Sequence, residues 1–277
     1  MDEKLISRIT VGVTVAGIAG GLLFLESIYP SLTIIGTILF LGVVCGCALE
    51  ASLYSEKDLV TRSASFFLYI IPSFLYLFFS AHCSSLSLAL CSSVFISLIF
   101  LLSISIFHLR NSIQNSEIFL SKLYLNFLVI GVGGASAVFI SSLENAPRLI
   151  FISASIVALS DVIAFFVGPR FSILKLARGI SPNKAVSGSL AAVCLGGVLG
   201  GVFGFFLLSL PFIKAVFFGV ILASVSVVFD LAQSLSKRLS GVKDSGTLLK
   251  SHGGIFDRFD SHLGGMVVMT IFVLLTQ

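Results

Sequence analysis

Residues 229–262 read FDLAQSLSKRLSGVKDSGTLLKSHGGIFDRFDSH, and this window is where the chain keeps its charge. Only 11% of the 277 residues are Asp, Glu, Lys or Arg, yet the window holds four of the 13 acids and five of the 17 bases. The acids are Asp230, Asp244, Asp257 and Asp260; the bases are Lys237, Arg238, Lys243, Lys250 and Arg258. Apolar blocks stand on both sides. Ionised side chains are costly beside hydrocarbon, so their concentration between two such blocks reads as a functional site.

Outward from the window, the chain reads as membrane. Hydrophobic residues make up 57% of it and the mean hydropathy is +1.11, which excludes an ordinary soluble domain. The apolar blocks run for about 17–25 residues, the length a helix needs to cross hydrocarbon. They are continuous rather than alternating, which excludes a β-barrel. The expected fold is all-α, a polytopic integral membrane protein of about nine spans. These lie near residues 9–25, 31–51, 64–80, 84–107, 119–143, 149–167, 189–210, 212–235 and 263–277. The first is expected to be a retained helix, because ESIYP offers no small-residue cleavage site after it. The last, at 15 residues, is expected to be tilted, to begin earlier or to span incompletely. Gly196, Gly200 and Gly204, with Gly197 and Gly201, repeat every four residues, a spacing that lets helix backbones approach closely in lipid. That face would serve a homodimer or packing within one chain equally well. The five cysteines follow no disulfide or zinc spacing and are expected as small buried hydrophobes.

With the N-terminus in the cytoplasm, only Arg148 and Lys214 of the 17 bases fall outside. The positive-inside rule therefore places the charged window in the cytoplasm, where nucleotides are. Residues 1–148 are expected to be membrane helices of the N-terminal half. Residues 149–277 form the expected catalytic region, with cytoplasmic loops at 168–188 and 234–262. No P-loop, dinucleotide glycine fingerprint or nucleophile elbow occurs, and no nucleic acid is expected as a partner.

Asp230 stands near the end of the eighth span, with Gln233 and Ser234 on the same helix face. Asp257 and Asp260 are three apart and would point the same way in one helical turn. Carboxylates so placed make a cradle for Mg²⁺, which takes a few of them and leaves its other positions to water and phosphate. Asp230 and Asp257 are the expected metal ligands, with room for a second cation. Lys237, Arg238, Lys243 and Arg258 would hold a polyphosphate, and Gly253 and Gly254 would bring backbone amides close to an anion. The bland alternative has the bases contacting anionic lipid heads and the acids pairing with them. Upstream, Asp161 lies inside the sixth span and needs a cation, a base or a packing hydrogen bond. In SPNK, Ser181 is expected to cap the seventh helix with Pro182 in its first turn, which leaves Lys184 unexplained. Glu50, the one acid of the second span, is expected at the interface.

The window resembles the phosphatidate cytidylyltransferases, whose motif has the form S-x-x-K-R-x4-K-D-x-G-x5-6-H-G-G-x-x-D-R-x-D. It matches at Ser234, Lys237, Arg238, Lys243, Asp244, Gly246, His252, Gly253, Gly254, Asp257, Arg258 and Asp260. DVIAFFVG and ISPNKAVSGS look like two further family elements, which extends the resemblance from Asp161 to Ser261. Residues 1–150 agree only in being membrane spans. The chain departs at Phe229 (family glycine), Gln233 (family glutamate), Ser187 (family glutamate), Ser236 (family apolar) and Lys250-Ser251 (family Pro-Gly). The resemblance implies cytidylyl transfer from CTP to phosphatidic acid with Mg²⁺, giving CDP-diacylglycerol and pyrophosphate at the cytoplasmic face of the cell membrane. It also implies catalytic roles for the four aspartates Asp230, Asp244, Asp257 and Asp260 and for Lys237, Arg238, Lys243 and Arg258. Ser234, His252, Gly253, Gly254, Ser181, Lys184 and Asp161 would bind substrate, and membrane lipids would surround the site. Three alternatives stay open: a CTP-using enzyme for another lipid, such as a polyprenol kinase; an ion-coupled transporter using Asp161 and Asp230; and a non-catalytic paralogue.

Overall fold

The computed structural model describes residues 32–83, 85–111, 116–171, 174–248 and 253–276. The expected first span, Lys250 and His252 lie outside them. Among the described residues, eight helices are long and apolar enough to cross a membrane, so the chain is an all-α, multi-pass membrane protein.

In order they are α1 (Leu32–Ser55), α2 (Leu59–Ser80), α3 (Leu86–Asn111), a composite span, α6 (Ala146–Arg170), α7 (Val186–Leu208), α8 (Phe212–Leu239) and α9 (Phe256–Thr276). The composite span is α4 (Ser116–Asn126), a π-helical turn (Phe127–Val132) and α5 (Gly133–Ser141). It is the central post of the bundle, with 78% of its window buried against 28–56% for the others. Large apolar side chains such as Phe95, Phe206 and Leu275 point outward, as hydrocarbon allows. The hydrophobic core runs without a break from Val44 on α1 to Met269 on α9, so both halves of the chain share it. Of the cysteines, Cys47 is buried as expected, but Cys91 and Cys194 lie exposed on α3 and α7.

The glycine ladder of α7 is consumed inside the chain. A Cβ at Gly200 would strike the backbone of Gly219 on α8, and one at Gly204 would stand 2.8 Å from Ala215 Cβ. The α7–α8 backbones touch there, so this face supplies no second-copy interface. Ser209, at φ +54, ends α7, and Pro211 begins the return as α8.

At the polar end one expectation is corrected, and of the alternatives for the last span the earlier start holds. Ser181 does not cap a helix: Ser181–Ala185 is a β-strand (β2), paired antiparallel with β1 (Lys175–Ala177), and α7 starts only at Val186 with Ala185 before it. Proline's fixed φ suits an edge strand as readily as a first helical turn. The last span is full length because α9 begins at Phe256, which takes Asp257, Arg258 and Asp260 into its first turns.

Polar contacts knit that same end of the bundle. Lys122 on α4 donates to the backbone oxygen of Ser55 at the end of α1 and pairs with Glu56 at 3.5 Å. Tyr54 Oη donates to Asn126 Oδ1 (2.9 Å) and lies 3.2 Å from Ser236 Oγ on α8. Burial holds the Glu56 carboxyl above its ordinary range, against the opposing pull of Lys122. A carboxyl whose folded pKa is raised favours the folded state at low pH and loses that contribution as pH rises through the folded value. Lys122→Met removes the pull that lowers the pKa, so it is expected to depress the melting temperature more at neutral than at mildly acidic pH. Equal depression at both would refute the pairing.

Candidate functional site

Two carboxylate–ammonium pairs mark the candidate site. On the shallower, Lys184 from β2 donates to Asp230 Oδ2, while Ser234 Oγ, one turn along α8, donates to Asp230 Oδ1 at 3.3 Å. Both side chains keep 26% exposure. The lysine that capping left unexplained thus reaches over α8 because the hairpin, and not a helix, carries it. On the deeper pair, Lys237 Nζ donates to Asp257 Oδ1 at 2.6 Å, with exposures of only 12% and 11%.

Asp257 does more than pair. Gln233 Nε2 also donates to its Oδ1 (2.9 Å), and the backbone N–H groups of Ser245 (2.8 Å) and Gly254 (3.0 Å) donate to its Oδ2. A carboxylate has about four acceptor positions, and here all four are used. Asp257 therefore fastens α8 to α9 and to two points, Ser245 and Gly254, of the segment joining them.

Other acids gather near Asp230. Asp260, one turn after Asp257, is buried and accepts the Ser261 N–H at 2.7 Å. It lies within electrostatic reach of Asp230, Lys237 and Asp161. Asp161 on α6 is exposed and within reach of Asp230 and Lys184. Four aspartates from α6, α8 and α9 thus converge with two lysines. Among the described residues, no three acid, histidine or cysteine side chains are gathered tightly enough to cage a metal ion. The donor set still suits Mg²⁺, which asks for one or two hard carboxylates and takes the rest from phosphate and water. Asp230 fits that description as it stands, half-buried and held by one lysine. Asp257 fits only by exchanging Lys237 for the ion.

The remaining expected residues take different places. Arg238 is exposed and braces the hairpin, donating to Ile180 O (3.1 Å) and Val242 O (3.3 Å). Lys243, Asp244 and Arg258 are exposed around the same rim. Ser181 sits in β2, part-buried. Gly253 has φ +80, which a side chain rarely tolerates, and a Cβ there would stand 2.8 Å from Asp257 Oδ2.

The backbone amides around Gly254, expected to meet a phosphate, meet protein carboxylates instead. Gly254 N–H goes to Asp257, while the N–H groups of Ile255 and Phe256 go to Glu50 at 2.9 Å each. Glu50, expected at the interface, is buried within the protein at 2% exposure. The available signal was its cost, since a lone acid among some twenty apolar residues demands a partner.

Three of the family departures find local reasons. Phe229 is accommodated by Gly264 of α9, where a Cβ would stand 2.7 Å from the ring. The Gln233 amide donates to Asp257, which a glutamate carboxylate does not do. Ser236 meets Tyr54.

Residues 6–276 match the model of the cytidylyltransferase family. The chain is 31% identical to a phosphatidate cytidylyltransferase of Helicobacter pylori (strain J99), over 99% of this chain and 94% of that one. It is 40% identical to the enzyme of that name from Synechocystis over 42% of this chain and 40% of the relative. With the Bacillus subtilis enzyme of that name it shares 38% identity over 41% of this chain and 43% of the relative.

Proposed function

The chain belongs to the cytidylyltransferase family, and on that premise we propose that it transfers the cytidylyl group of CTP to phosphatidic acid, giving CDP-diacylglycerol and pyrophosphate. The observation that carries the reading is the pair of lysine–aspartate bridges, Lys184–Asp230 and Lys237–Asp257, at the polar end of the bundle. A nucleotide reaches such a place from water and a lipid phosphate reaches it sideways along the bilayer.

The chemistry asks for little covalent help. An oxygen of the already ionised lipid phosphate attacks the α-phosphorus of CTP; the bond from that phosphorus to the bridging oxygen breaks, and pyrophosphate leaves with the electron pair. No general base is needed, so the protein's work is in-line positioning and charge neutralisation. Lys184 and Lys237, turning from their aspartates to phosphate oxygens, would supply cationic donors at the reacting groups. Arg238, Lys243 and Arg258 line the rim where the β- and γ-phosphates would sit. Asp230, with Asp257 once Lys237 has turned away, would hold Mg²⁺, whose contribution when bound is to neutralise charge on the phosphate oxygens. Asp161 and Asp260 add carboxyl oxygens beside that region. His252, Gly253, Gly254, Ser234 and Ser181 complete the proposed substrate contacts, and Asp244 the proposed catalytic set. The membrane is the cell membrane and the site faces the cytoplasm, a reading supported by the bias of bases toward this end.

Purified protein in detergent, given phosphatidic acid, Mg²⁺ and CTP labelled at the α- or γ-phosphate, tests this directly. Label from the α position is expected in lipid and label from the γ position in pyrophosphate, both abolished by a chelator. Lipid carrying the γ-label would make the protein a kinase, and no labelled lipid at all would end the reading.

A further inference from the structure

The first four N–H groups of a helix have no partner within it, and at a site of chemistry they are usually left for an anion from the substrate. In α9 two of these positions are already taken. Ile255 N–H, just before the helix, donates to Glu50 Oε1 and Phe256 N–H to Glu50 Oε2, each at 2.9 Å. Ser245 Oγ, in the segment that joins α8 to α9, donates to Glu50 Oε2 at 2.7 Å. Asp257 grips the same two points from the opposite side, through Ser245 N–H and Gly254 N–H. Two carboxylates thus close the base of one loop, and the second of them comes from α1, about two hundred residues away in sequence.

The glycines of the loop fit this arrangement. A Cβ at Gly254 would overlap Glu50 Oε2 and Ser245 Oγ, and one at Gly246 would stand 2.8 Å from Glu50 Oε1. Both glycines make room for the glutamate. Lys243 and Asp244 immediately precede Ser245, so the point that Glu50 holds sets where they stand on the rim.

We infer that Glu50 is a positioning residue for the nucleotide: it fixes the base of the α8–α9 loop so that the rim residues meet the triphosphate, without touching substrate itself. The inference rests on the cytidylyl-transfer reading. Its role is separable from that of Asp257, which faces the reacting groups through Lys237, whereas among the described residues Glu50 accepts from loop backbone and Ser245.

The test compares wild type with Glu50→Gln, which keeps the shape but replaces one acceptor by a donor facing N–H or O–H groups. Three readouts are taken: amide hydrogen exchange at residues 255–256, CTP affinity by direct binding, and KM for each substrate. Exchange is expected to quicken and CTP binding and its KM to weaken by about tenfold, the scale of one charge-assisted hydrogen bond, with KM for phosphatidic acid unchanged. Faster exchange with unaltered CTP binding would reduce Glu50 to a structural residue and overturn the inference, as would unaltered exchange. Wild-type protein that binds no CTP would instead strike the functional reading, a different failure. Ser245→Ala deletes a single bond to Glu50; it is expected to shift CTP binding the same way by a few-fold, and no shift would count against the proposal even if Glu50→Gln failed to fold.

Discussion

Asp257→Asn is expected to reduce kcat/KM for CTP by about a hundredfold to a thousandfold, the scale on which removing one electrostatic contributor at a reacting centre slows transfer, and to lower the melting temperature as well, because Lys237 is left buried without its partner. The asparagine keeps an oxygen for the N–H groups of Ser245 and Gly254. Its amide nitrogen, however, faces Lys237 Nζ and Gln233 Nε2, so donors meet donors and Lys237 is left buried without its counter-charge. The measurement is steady-state transfer in detergent, with thermal unfolding of the same samples. Activity within threefold of wild type would show that the deep pair is not part of the machinery.

Gly219→Ala is expected to be the most damaging single methyl group in the bundle. Its Cβ would fall on the Gly196 carbonyl oxygen and stand 2.6 Å from Gly200 Cα and 2.9 Å from Gly200 N, all backbone atoms that no rotamer change can move. Overpacking typically costs about 1–3 kcal/mol, and a backbone collision belongs at the top of that range. Gly42→Ala is the matched control, because a Cβ there meets nothing within 4 Å. The yield of monodisperse protein and its melting temperature should fall for Gly219→Ala and hold for Gly42→Ala; equal behaviour would mean the α7–α8 backbones do not meet as described.

The spans were legible because their signal is composition, which lipid enforces residue by residue. The site was legible where chemistry is local: Asp230 with Ser234, and Asp257 with Asp260, lie a turn apart and are brought to one place. The hairpin was not, since Ser-Pro serves a strand edge as well as a helix start and only the pairing of Lys175 with Ala185 decides. Nor was the destination of the Gly254 amides. A glycine pair before a helix advertises an anion, but the sequence does not say whether the anion is a phosphate or the carboxylate of a residue two hundred positions earlier. Gln233 shows the same limit. Where the resemblance puts a glutamate, its amide donates to Asp257, and only the tertiary contact shows it.

The π-helical turn at Phe127–Val132 has a wider meaning for how this membrane protein is put together. A residue added to a helix turns everything after it by about 100°. Before the turn, Lys122 and Asn126 address α1 and the polar end; after it, Gly133 and Gly134 lie against Leu263 of α9 and Val44 of α1. One span therefore works as two half-length posts with separate bearings, one half tying the polar end together and the other packing against α1 and α9. The π-helical turn between them lets a single crossing of the bilayer answer to both without either dictating the other's sequence.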